Sequence, residues 1–158
     1  MTLYHGSYLV VENPDIARAR EHTDFGKGFY TTPIKEQAVR WSERFRMKRG
    51  QGVVSEYVFD DASAKETLSI LEFETYSDAW LEFIIACRRG KDIGNYDLIV
   101  GGVANDKVFD TIELFLGGLV DEREAIKRLQ YEKPNLQYCF RNQSVINRYL
   151  HFTASDGV

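Results

Sequence analysis

Strand-like and helix-like segments follow one another irregularly along this chain, and that order most limits the folds open to it. Leu3–Tyr8 is short, apolar and aromatic and reads as a strand. Phe25–Thr32 brings two glycines into an aromatic, β-branched strand that Pro33 stops. Lys35–Lys48 fits a helix with Ala38, Trp41 and Phe45 at i, i+3 and i+7, and Gly50-Gln51-Gly52 breaks it. Strands are expected at Val53–Asp60 and Thr67–Phe73, then a helix at Asp78–Arg89 capped by Ser77. After a turn over Gly90–Tyr96, Tyr96–Val100 reads as a buried strand ended by Gly101-Gly102. Asn105–Phe115 is expected to be helical, and Asp121 caps a helix running to about Leu129. Leu136–Phe140 reads as a strand, Gln143–Asn147 as a short helix or turn, and Arg148–Thr153 as a last strand. A doubly wound sheet would alternate strand and helix. This order does not, so the class is α+β, in one domain over residues 1–158.

The chain carries 24 acidic and 20 basic residues, a net charge of −4, which argues against nucleic acid as an obligate partner. Arg40, Arg44, Arg46, Lys48 and Arg49 form a dense basic stretch that could meet an acidic partner or nucleic acid but reads better as a solvated helix face, so nucleic acid is a possible partner and not the favoured one. Cys87 and Cys139 lie in apolar surroundings and are expected to be buried reduced thiols. The three His residues are scattered and the Cys residues lack ligand spacing, so no metal is expected. The first residues lack a charged start with a long apolar run. No stretch reaches the roughly 20 apolar residues of a membrane helix, so a cytoplasmic protein is expected.

Four segments can carry chemistry. They are Tyr4-His5-Gly6-Ser7, then Phe25-Gly26-Lys27-Gly28-Phe29-Tyr30-Thr31-Thr32, then Trp41, and last Leu136-Gln137-Tyr138-Cys139-Phe140 with Ile146–Leu150. Singly each has a bland account. A His beside Gly is more often structural, and Gly6 in a strand suggests a close approach to the backbone, here by a ligand. Gly26 and Gly28 lack the third glycine and helix start of a phosphate-binding loop. Tyr30 and Trp41 could be core.

As an ordered set the segments resemble the ADP-ribosyltransferase superfamily, in its histidine–tyrosine–glutamate branch of diphtheria toxin and the poly(ADP-ribose) polymerases. His5-Gly6-Ser7 resembles that branch's first-strand motif, and Phe25–Thr32 is similar to a polymerase segment at five of eight positions. Gln137 stands where the branch has Glu. The chain also resembles a bacterial domain family with this His-Gly-Ser and Asp24-to-Thr32 pattern, whose members tend to sit beside small partners in toxin–antitoxin-like pairs. Residues from about 50 to 130 carry no part of the resemblance.

The resemblance implies a mixed-sheet core split around a cleft for NAD, which is the substrate, with no metal. It implies that His5 binds the adenosine ribose, the Gly6 backbone holds the nicotinamide carboxamide, and Tyr30 stacks on nicotinamide with Trp41 on or near its other side. Ser7, Gly28 and Thr31 complete the binding set, and Gln137 reaches the nicotinamide ribose. Catalysis would fall to Gln137, His5 and Tyr30. Two positions depart from the pattern: Ala38 replaces a serine of the polymerases, and neutral Gln137 cannot supply full negative charge or act as a general base. The expected activity is therefore mono-ADP-ribosyl transfer to a macromolecule, as an intracellular toxin held by a small antitoxin protein. The docking surface expected for that partner is the helix Asp78–Arg89 and the loop Gly101–Asp106. The rivals are an NAD glycohydrolase, an NAD or ADP-ribose binding module, and a relative that removes phosphate from RNA. The last needs basic residues around the cleft, of which the sequence shows no clear set.

Overall fold

The computed structural model describes residues 1–158 except Asp92, Tyr131 and Lys133. Two sheets and six α-helices make up the described chain, an α+β arrangement. β1 (Thr2–Ser7), β3 (Val53–Phe59) and β7 (Leu150–Gly157) form a three-stranded antiparallel sheet in the order β1-β3-β7. β2 (Phe29–Thr31), β6 (Leu136–Phe140), β5 (Leu98–Gly102) and β4 (Ile70–Glu72) form the second, in the order β2-β6-β5-β4, with only β4–β5 parallel.

Strand alternation sets the layers. Leu98, Val100 and Phe140 face the three-stranded sheet and pack with Leu3, Tyr57 and Phe59. The Phe59 and Phe140 rings meet edge to face at 5.1 Å. Ile99 and Cys139, on the opposite face, pack against α3 (Asp78–Arg88), α4 (Asp106–Leu116) and α5 (Glu122–Leu129) through Trp80, Ile84, Ile112 and Leu129. Each of these helices starts where a polar side chain satisfies a free backbone N–H: Ser77 for Trp80, Asn105 for Val108, Asp121 for Glu124.

α1 (Lys35–Arg49) packs on β1 and ends at Gly50, whose left-handed φ of 77° suits glycine. Its buried face is Gln37, Ala38 and Ser42, not the expected stripe of Ala38, Trp41 and Phe45. Trp41 and Phe45 are only half-buried, because the helix uses its smallest side chains to approach the strand. α2 (Asp61–Thr67), capped by Asp60, occupies a stretch left unassigned from sequence and shortens the strand expected at Thr67–Phe73 to β4. Gly101 and Gly102 continue β5 instead of ending it. The Phe25 and Phe73 side chains sit over Gly101 and the Tyr76 ring over Gly102, where a β-carbon would collide. α6 (Gln143–Tyr149) runs straight into β7. The turn expected at Gly90–Tyr96 includes Asp92, which lies outside the described residues. No helix among the described residues is long and apolar enough to cross a membrane.

The two sheets meet edge to edge where β1 passes the end of β2. Tyr4 and Thr32 form an isolated antiparallel bridge, with both backbone N–H groups donating to the opposite carbonyl at 2.8 and 2.9 Å. Past this bridge β1 and β2 part, and a cleft opens between them.

Candidate active site

The cleft has a volume of about 1280 Å³ and is open to solvent. His5, Gly6 and Ser7 reach it from β1, Tyr30 from β2, Trp41 from α1 and Gln137 from β6. Gly28, just before β2, also lines it. Thr31 does not: it is fully buried and alternates to the other face of β2, where its hydroxyl lies 3.5 Å from the Tyr138 carbonyl. The N-terminal forty-odd residues and Gln137, about a hundred residues further on, thus contribute to one wall and floor.

His5 is held from two sides. Its Nδ1 lies 2.7 Å from the Tyr30 carbonyl oxygen, and its ring lies against Phe29 at 4.5 Å between centroids. A carbonyl only accepts, so Nδ1 carries the proton and Nε2 of the neutral ring is an acceptor. Burial holds the His5 pKa below 6.5, outweighing the opposing pull of the Tyr30 carbonyl. At neutral pH the cleft is therefore offered an uncharged imidazole with a fixed tautomer.

Tyr30 is fixed at its far end. Its hydroxyl donates to the Gly26 carbonyl at 2.6 Å, accepts from the Phe25 N–H at 2.9 Å and meets the Thr23 hydroxyl at 2.9 Å. Burial pushes the phenol well above its ordinary pKa, so it stays protonated. The phenol thus ties down the turn at Gly26, whose φ is 74°, while the side chain still lines the cleft. Gln137 is 4 % exposed, and its Nε2 lies 3.5 Å from the Gly102 carbonyl oxygen, at the limit of a hydrogen bond. Tyr30 pairs with Cys139, two residues on from Gln137, so Tyr30 and Gln137 lie on the same face of the sheet.

Gly6 has a different reason from the one its sequence context suggests. A β-carbon there would lie 2.1 Å from the Ala38 carbonyl oxygen and 2.9 Å from the Ser42 nitrogen. The close neighbour is the backbone of α1, so packing by itself is sufficient to require glycine. Ala38 is fully buried in that contact and offers the cleft nothing. Cys87 and Cys139 are free and buried, and burial pushes both thiols up to about 12. Among the described residues no group of His, Cys, Asp or Glu could hold a metal ion.

Arg18, Arg20 and Arg88 were not singled out from the sequence, whereas Asp24 opens the Asp24-to-Thr32 pattern and Arg44 and Lys48 belong to the basic stretch read as a solvated helix face. Asp24 lines the cleft and is held by Arg88, whose NH2 and Nε reach its Oδ1 at 2.8 and 3.2 Å. Arg18 ends a short 3-10 helix (Ile16–Arg18) after β1 and Arg20 follows it, and Arg44 and Lys48 lie on α1. The signal for the last two is present in the sequence: Trp41, Arg44, Phe45 and Lys48 stand at i, i+3, i+4 and i+7, one face of a helix.

A cleft between two sheet edges, floored by a neutral His, a tethered Tyr and a buried Gln, has the layout of a small-molecule site. The chain belongs to the family described as "Protein of unknown function (DUF3990)", whose model matches residues 1–152. No curated protein matches the chain, and no solved structure does.

Proposed function

We propose that this protein is a mono-ADP-ribosyltransferase that uses NAD as substrate, with an ADP-ribosyltransferase-like core of two sheets split around the cleft. The observation that carries the reading is the convergence of His5-Gly6-Ser7, Tyr30, Trp41 and Gln137 on that one cleft. On this reading the His5 Nε2 accepts a hydroxyl of the adenosine ribose and the Gly6 backbone meets the nicotinamide carboxamide. Tyr30 and Trp41 flank the nicotinamide, a flat cation suited to aromatic faces. The Gln137 amide oxygen accepts a hydroxyl of the nicotinamide ribose.

The reaction breaks the bond between the ribose anomeric carbon and the nicotinamide nitrogen. Nicotinamide leaves with the electron pair, and the sugar passes through an oxocarbenium-like transition state. An acceptor nucleophile forms the new bond at the same carbon and loses its proton. Fixed polar groups help because their orientation is set before the reaction. With a neutral Gln137, the acceptor's proton goes to solvent or to another group, and chain elongation is not expected. A toxin of this kind needs restraint in its own cell, supplied on this reading by a small cognate protein. Gly101 and Gly102 are buried in β5, so the surface left for that partner is α3 and residues 103–105.

The second reading, a binding module without turnover, is favoured by one observation, the absence of a carboxylate at position 137. Incubation with labelled NAD and cell lysate separates the two. Label on a macromolecule, or free nicotinamide, supports the enzyme. Bound but intact NAD supports the module, and no NAD binding at all removes both.

A further inference from the structure

We infer that the wall of the cleft formed by α1 and the loop after β1 binds single-stranded nucleic acid, which makes nucleic acid the acceptor class of the proposed transfer. The second half of this inference rests on the ADP-ribosyltransferase reading, and the first half does not.

The wall interleaves cations with accessible rings. Arg44 and Lys48 alternate with Trp41 and Phe45 on one face of α1, over roughly 10 Å of helix length. Tyr8 stands opposite, 37 % exposed, with its ring 5.9 Å from that of Phe45 and the Arg49 guanidinium 4.3 Å above it. Leu9 and Val10 follow, exposed at 41 % and 40 %, so three consecutive apolar residues face the cleft. Isolated exposed apolar residues are ordinary, but a run of them beside cations is a recognition surface. Arg18 and Arg20 extend the cationic side along the same cleft.

The platform is anchored, although it lies outside regular secondary structure. The Val11 N–H donates to the Ser55 hydroxyl at 3.1 Å, and the Tyr57 hydroxyl donates to the Val11 carbonyl. Gln143 closes the other end, accepting from the Ile16 N–H and donating to the Pro14 carbonyl, both at 2.9 Å. The rings are thus presented on a loop whose ordering cost is already met on folding.

The cleft is lined by five basic and three acidic residues, whereas the whole chain is at −4. Asp106 and Glu113 lie just outside the lining, within ion-pair distance of Arg44 and Arg88, so the wall turns positive toward a ligand only where a phosphate displaces such partners. Arg88 is held by Asp24 at 2.8 Å and Glu113 at 3.3 Å, and two other cations have surface partners, Arg18 with Asp15 at 3.5 Å and Arg44 with Asp106 at 3.7 Å. Such exposed pairs are weak and yield to a phosphate. Cations alone would equally suit an acidic peptide. The rings decide for nucleic acid, because bases stack on aromatic side chains while phosphates track the cations. A duplex keeps its bases stacked inside and cannot use the rings.

The test is fluorescence anisotropy of the full chain with a labelled 15-nucleotide RNA, the matching DNA strand, their duplexes and a poly-glutamate peptide, first without NAD. The inference expects the single strands to bind, with log affinity falling linearly against log salt at a slope of about −2, as a few phosphate contacts require. The double variant Arg44→Glu, Lys48→Glu should weaken binding at least tenfold, and Tyr8→Ala or Phe45→Ala several-fold, while Lys65→Glu on the distant α2 changes nothing. Circular dichroism confirms that each variant is folded. No binding at low salt, tighter binding of duplex, equal binding of poly-glutamate, or indifference to all the cleft variants would overturn it. RNA and DNA arms show which sugar is accepted. Labelled NAD is then added. Label on the oligonucleotide supports both halves. Strand binding with no NAD consumption removes the enzyme reading and keeps the binding surface. NAD consumption with no strand binding removes this inference and leaves the enzyme.

Discussion

The His5 Nδ1 donates to the main-chain carbonyl of Tyr30 across the gap between the two sheets, at 2.7 Å. This contact adds to the Tyr4–Thr32 bridge between the two sheet edges, fixes the tautomer and aims the acceptor nitrogen of a half-buried ring. Because burial lowers the pKa, the folded protein binds the His5 proton less readily than the unfolded chain does. The unfolded state then holds more protons in the window between the folded pKa and 6.5, so stability rises with pH across that window. It is lost as pH falls below 6.5 and levels off once the folded-state His5 is itself protonated. Urea midpoints from pH 5 to 8 should show this fall in wild type and lack it in His5→Gln. NAD affinity should follow the same sign, flat through neutral pH and weaker only once pH falls to the lowered folded-state pKa, since protonated Nε2 no longer accepts. A midpoint that rises as pH falls would contradict the assigned tautomer and burial.

Gly6 tests whether the first-strand motif is also a packing device. Gly6→Ala places a methyl 2.1 Å from the Ala38 carbonyl, a backbone atom that moves only with the helix. Overpacking of this kind costs about 3 kcal/mol. Thermal unfolding should show a clear drop without any ligand present. An unchanged melting temperature would mean that α1 shifts freely on β1 and that packing does not require the glycine.

Most of the elements were legible in the sequence because their ends carry chemistry. Ser77, Asn105 and Asp121 cap their helices, and Gly50 ends α1. The misread places are those where tertiary contacts override local pattern. Gly101 and Gly102 look like a strand terminator, yet rings from elsewhere in the chain need that bare backbone. Trp41 and Phe45 look like a core stripe, yet Gly6 lets the helix dock on Ala38 and Ser42 instead. The site residues near the two sheet edges came from motif order, and all but Thr31 line one cleft. Arg88 was not legible as a cleft residue, because its partner Asp24 lies 64 residues away in sequence.

Tyr30 separates ring from hydroxyl. Tyr30→Phe keeps the ring and strips the Phe25 N–H of its partner, while the Gly26 carbonyl keeps the Thr23 hydroxyl. Leaving such a group unsatisfied costs on the order of 1–3 kcal/mol of stability. NAD affinity should fall less than in Tyr30→Ala, which removes the stacking face and costs roughly 1–3 kcal/mol of binding. Calorimetric titration against both variants checks this. Equal NAD affinity in wild type and Tyr30→Ala would assign Tyr30 to the core alone.

Gln137 decides between enzyme and binding module. It is buried on the same face of the sheet as Tyr30, with its amide nitrogen directed at the Gly102 carbonyl, so its amide oxygen is the atom left for a ribose hydroxyl. In an enzyme that hydrogen bond strengthens as positive charge develops on the sugar. Gln137→Ala should then lower turnover by about 10²-fold with little change in NAD affinity, since the loss falls on the transition state. Gln137→Glu is more informative. Its carboxylate would be desolvated and set against the Gly102 carbonyl, both of which raise its pKa. NAD hydrolysis by this variant should therefore increase with pH as the carboxylate ionises, while wild-type turnover stays flat above pH 6.5. Nicotinamide release measured across pH for the three proteins gives the answer. If wild type releases none and both variants bind NAD as it does, the site is one that holds NAD without cleaving it.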